Sequence, residues 1–132
     1  MIDLRDDGTI GIDFDNGAGP VVLPRPKLGL VERQNFARLD IRTAIQALAT
    51  EIDGRETKPD DAGVAEIRAA SRKMVVDWWQ ATFEGLDVTS KVPADPDDWP
   101  AWLVYGPGVI ETVTNHWVEV PLARGGTLLP RA

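Results

Sequence analysis

The side chain with the strongest claim to chemistry is the single histidine, His116, which stands three residues before Glu119 in "TNHWVEVP". Histidine alone has an ordinary pKa near neutrality, so a general base would be sought there first. On a helix its neighbours at three and four residues are Thr112, Val113, Glu119 and Val120. A Glu–His contact at that spacing is ordinary helix-surface electrostatics. No nucleophile accompanies it: the serines are Ser71 and Ser90, neither in a nucleophile-elbow context, and the chain has no cysteine. A lone histidine without a placed nucleophile defines no reaction, so no catalytic residue is assigned and the chain is expected not to be an enzyme.

Aspartate pairs at 6–7, 60–61 and 97–98 could in principle hold a divalent metal. Each falls at an expected turn or helix start, where a carboxylate that accepts from free backbone N–H groups explains it locally. "DFDNG" at 13–17 opens like a calcium loop, but the sixth and twelfth positions, which need Gly and Glu, are Ala18 and Pro24. A hairpin turn explains it better. "GPG" and "RGG" match neither a dinucleotide fingerprint nor a phosphate loop, so neither metal nor cofactor is expected.

The chain's five tryptophans remain. Buried, each hides on the order of 150–250 Å². Trp78 and Trp79 are helix neighbours, about 100° apart around the axis, and Trp99 and Trp102 share one turn. A three-helix core absorbs Trp78, Trp102 and Trp117; Trp79 or Trp99 is then either left at an edge, where an aromatic serves as a contact anchor, or covered with the other beneath the Pro-rich loop. The partner-binding candidates are therefore Trp79, Trp99 and Trp102.

The elements that must position these residues follow from hydrophobic period. Ile2, Leu4, Ile10, Ile12 and Phe14 alternate around "DDG" and "DNG" turns, which predicts a β-hairpin with a third strand at Val21 to Leu23. Pro24 and Pro26 make "LPRPK" an extended connector. From Val31 the period becomes helical. Ile41, Ile45, Leu48 and Ile52 form a stripe widened by Phe36, Leu39, Ala44 and Ala49, so a helix is predicted over 31–52. After a polar connection at 53–61, with Asp60 or Asp61 as cap, a second helix carries Val64, Ile67, Met74, Val75, Trp78, Phe83 and Leu86 and ends at Gly85. A short helix capped by Asp97 or Asp98, with Pro100 in its first turn, precedes a third long one through Ile110, Val113, Trp117 and Val120, which Pro121 stops. The fold class expected is α+β, mostly α: a hairpin region over 1–24, a helical domain of three to four helices over 25–121 in the same folding unit, and a flexible tail over 122–132.

Composition agrees. The 132 residues, 43% hydrophobic and 27% charged, suit one globular domain with one core. No run approaches the roughly 20 apolar residues of a spanning helix, and "MIDLRDDG" lacks a signal peptide's basic start and apolar centre, so a cytoplasmic protein is expected. A net charge of −7 repels phosphate, and no basic patch is visible along the chain, so nucleic acid is not an expected partner.

"DDWPAWL", followed by a helix ending in "HWVEVPLARGG" and preceded by "VVLPRPKLG" ahead of the first long helix, resembles the tail assembly chaperones of long-tailed phages that infect actinobacteria. The likeness runs in order over residues 21–126, whereas "TIGIDFDNG" before Val21 departs from the family's pattern. The resemblance implies a non-enzyme of the host cytoplasm, absent from the finished virion, that binds the tape measure protein and helps tail-tube protein assemble around it. It also implies a short form and a frameshift-extended form, and the "LARGGTLLPRA" end suits the short one; self-association is a further partner reading. The rival from another class is a structural virion protein, such as a head–tail connector or minor tail component. A third is a small metal-dependent hydrolase using the aspartates.

Overall fold

A computed structural model describes residues 2–54, 61–105 and 107–123. Strands β1 (Ile2–Leu4), β2 (Ile10–Ile12) and β3 (Val21–Leu23) form an antiparallel sheet in that order, as the alternation predicts. Helices α1 (Leu28–Asp53) and α2 (Asp61–Gly85) follow, then two 3-10 turns at Thr89–Lys91 and Pro96–Asp98, a single-turn helix α3 (Ala101–Val104) and α4 (Pro107–Ala123). The fold is α+β and mostly α.

Register explains the sheet's two faces. Ile2, Ile12 and Val21 are paired across the strands, as are Leu4, Ile10 and Leu23; Ile10, Ile12, Val21 and Leu23 are buried in the core, Ile2 packs against it and Leu4 is exposed. On the other face Arg5 lies across Gly11, and a Cβ there would meet its guanidinium at 2.9 Å. The missing side chain leaves room for the Arg5 guanidinium to lie over the middle strand. The β1–β2 turn uses Gly8 at φ +88°, and Asp7 accepts from the Thr9 hydroxyl and N–H at 2.6 and 2.9 Å. Those two bonds hold the Asp7 carboxyl below the usual carboxylate range. In the second turn the side chains of Asp13 and Asn16 accept from the N–H groups of Asp15 and Ala18, so "DFDNG" satisfies its own backbone.

α1 and α2 pack as an antiparallel hairpin; the 55–60 connection and Asp60 lie outside the described residues, as does the Asp61 side chain. Their contact is tied by a buried polar network invisible in the hydrophobic pattern. Gln34 donates from Nε2 to the Trp78 carbonyl at 2.9 Å and to Thr82 Oγ1 at 2.8 Å, while Trp78 Nε1 donates to the Gln34 carbonyl at 2.9 Å. Bonds of this kind are costly to leave half-made, so they fix one register between the helices.

Several local expectations are corrected. Gly85 does not end α2 by its conformation: Asp87, at φ +57°, is the left-handed residue, with Val88 N–H bonded to the Phe83 carbonyl and Asp87 N–H to that of Glu84. Asp95, not Asp97 or Asp98, caps the turn at 96–98, and Pro100 stands just before α3 instead of inside it. Pro121 does not stop α4, which runs to Ala123; so near a helix end a proline removes one bond from the ladder and the turn persists. Leu122 and Ala123 of the expected tail thus belong to α4, and 124–132 lie outside the described residues. Finally, Phe36, Leu39, Ala44 and Val64 lie outside the buried stripes and are exposed.

Candidate functional site

Trp79 and Trp99 are not at an edge. Trp79 is fully buried and Trp99 is 7% exposed, whereas Trp102 is half-buried against the same core. α2 is covered on two sides. Trp78 turns toward α1 and α4, where its ring stacks on Trp117 with centroids 5.9 Å apart. Trp79 meets Trp78 edge-on at 4.8 Å and stacks on Phe83 at 5.5 Å, and Phe83 meets Phe14 beyond β2 at 6.2 Å and Trp99 edge-on at 5.6 Å. Trp99 closes this cluster from above and donates from Nε1 to the Pro93 carbonyl at 2.8 Å. A three-helix core underestimated the space for aromatics because the sheet supplies a second wall.

His116 is half-buried on α4, its Nε2 without a hydrogen-bond partner among the described residues, and no bond joins it to Glu119, Ser71 or Ser90. The aspartates are also dispersed: Asp97 pairs with Arg72, Asp7 and Asp13 serve turns, and among the described residues no group of three or more His, Asp or Glu is placed to hold a metal ion.

What the fold does assemble is a surface on α1. Between α1 and the start of α4 lies a groove of about 250 Å³, with Ile41, Ile45 and Ile110 in it and Pro107 and Gly108 along one side. Arg38 and Arg42 both reach Glu111 Oε1, at 3.6 and 3.9 Å, so one carboxylate faces two guanidiniums at the rim. Leu39 and Arg42 are three residues apart and hence side by side on the helix. From there an uncharged outer strip runs through Phe36, Leu39, Thr43 and Ala47, all exposed, with Phe36 at 66%. Sequence reading assigned Phe36 and Leu39 to the core. The available signal was angular: Phe36 is five residues from Ile41, roughly 140° round the axis.

The fold also gathers charge that looked scattered. Arg25, Lys27 and Arg33 line one concavity beside the start of α1, which corrects the expectation that no basic patch exists. Among the described residues no helix is long and apolar enough to cross a membrane. No protein-family model matches the chain, and no curated protein or solved structure matches it either.

Proposed function

We propose that this chain is a tail assembly chaperone of a phage of actinobacteria: a non-enzymatic protein of the host cytoplasm that binds the tape measure protein and promotes assembly of tail-tube protein around it. The observation that carries the binding half of this reading is the Phe36–Leu39 strip of α1 beside the α1–α4 groove. A large aromatic two-thirds exposed on a helix that otherwise packs well is a contact residue in search of a surface. An amphipathic helix of a client could lay an apolar edge along the strip and a side chain into the groove, the usual mode of helix-in-groove recognition. The identity of the client rests on the resemblance over 21–126. Its motif residues Val21, Leu23, Trp99, Leu103 and Trp117 all enter one core cluster, so they are mutually consistent as a fold signature.

The test is co-expression with the tape measure protein encoded by the same genome. The chain is expected to co-purify with it, and Phe36→Glu combined with Leu39→Glu should reduce recovery at least tenfold at an unchanged melting temperature. Failure of the wild-type chain to capture the client overturns the reading. Mass spectrometry of mature virions gives the second arm: absence is expected, whereas a fixed copy number would make the chain a head–tail connector or minor tail component instead.

A further inference from the structure

The concavity around Arg25, Lys27 and Arg33 carries an inference independent of the tape measure reading. It measures about 560 Å³ and is bounded by the Pro24–Lys27 connector, the first turns of α1 and the last residues of α2, with Leu30, Gly85 and Leu86 among its lining. Leu30 and Arg33 lie close over Gly85: a Cβ on it would meet Leu30 at 2.7 Å and 3.1 Å and the Arg33 guanidinium at 3.3 Å. Without that carbon, Leu30 and Arg33 settle against the end of α2. The three cationic side chains are exposed, and none makes an ion pair or hydrogen bond among the described residues. In a chain with 21 acidic and 14 basic side chains, three cations converging unpaired on one hollow is the reverse of the overall sign. The start of α1 adds to it. Lys27, the N-cap residue, gives no side-chain cap and the first turn holds no acidic residue, so the helix's positive end is uncompensated.

From this geometry we infer that the hollow is a docking site for a short acidic segment of a protein partner, one that alternates carboxylates with an aliphatic side chain. Arg25 and Arg33 offer planar forks suited to carboxylates, and Lys27 adds a point charge. Leu30, Leu86, Pro24 and Pro26 give the aliphatic side chain an apolar seat. Acidic neighbours limit the length of the occupant. Arg25 packs against Gly8 of the turn bearing Asp6 and Asp7, while Glu84 and Asp87 flank the far side in sequence, so an extended polyanion would run into like charge. A segment of four to six residues, by contrast, places its carboxylates over the cations alone.

The experiment uses the full chain, 15N-labelled, titrated with an acetylated peptide of sequence Glu-Leu-Asp-Glu-Leu-Glu. Amide shifts are expected at Leu28, Gly29, Leu30, Arg33, Leu86 and Asp87, with affinity weakened at least fivefold between 50 and 300 mM salt. The Lys27→Gln, Arg33→Gln variant should lose at least tenfold in affinity with its melting temperature unchanged, and Arg25→Gln tests the third cation without touching α1. Three results would overturn the inference: no shifts at the hollow with millimolar peptide, equal shifts with the Gln/Asn version of the peptide, or tighter binding at the hollow of an oligothymidine or inorganic phosphate than of the peptide.

Discussion

At Gly85 and Asp87 a residue type and its task come apart. Glycine near a helix end reads naturally as the left-handed terminator, yet that conformation falls to Asp87, and Gly85 is helical, with the Leu30 side chain beside it. Asp tolerates positive φ better than most side chains, but glycine carries no penalty there. Asp87→Gly is therefore expected to stabilise the protein by about 0.5–1 kcal/mol, measured by urea denaturation. Gly85→Ala should change stability little, because the Leu30 methyls its Cβ would meet are the mobile end of a half-buried side chain and can turn aside, while helix propensity gains up to about 1 kcal/mol. In a Leu30→Ala background the same substitution should be clearly stabilising, and an equal effect in both backgrounds would show that the contact plays no part. The sequence displays both residues but not the distance to Leu30, which lies on another helix.

At the scale of elements, α2 organises the molecule because it is buried on two sides. Periodicity located α1, α2 and the strands, since each repeats its apolar residues at the spacing its geometry demands. It left Trp79 and Trp99 open between edge and core, because a stripe shows which residues are apolar and not how many partners surround the helix. Gln34 and Thr82 were illegible for a related reason: two polar residues in separate helices announce nothing until their bonds are seen. Trp99→Ala should cost about 3–5 kcal/mol, as it opens a void between Phe14 and Phe83 and frees the Pro93 carbonyl. Trp102→Ala, at a half-buried position, should cost less than half as much. Gln34→Ala is expected to lose about 2–3 kcal/mol through its two donated bonds and the space left behind, while Gln34→Leu, which keeps volume, should lose less. Chemical denaturation of the four variants in one buffer ranks them directly.

At the scale of the whole molecule, the small sheet is a wall of the core and not an appendage to a helical bundle. Ile10, Ile12, Leu23, Phe14, Phe83, Trp79 and Trp99 belong to one continuous cluster that extends to Trp117 on α4. Two domains' worth of apolar surface is not available in a chain of 132 residues, so neither the sheet nor the helices bury enough alone. The consequence is cooperative unfolding. Ile12→Asp puts an unpaired charge in the middle strand at a fully buried site, and its cost, several kcal/mol against a typical total of about 5–15, should be felt on α4 as strongly as in the sheet. Thermal melts followed by near-ultraviolet circular dichroism, which reads the tryptophan cluster, and by far-ultraviolet dichroism at 222 nm, which reads the helices, should coincide in the wild type and shift down together in the variant. A helical signal that melts at the wild-type temperature while the aromatic signal is lost would mean that the helices stand without the sheet, and that the second wall behind Trp79 contributes packing but not the fold.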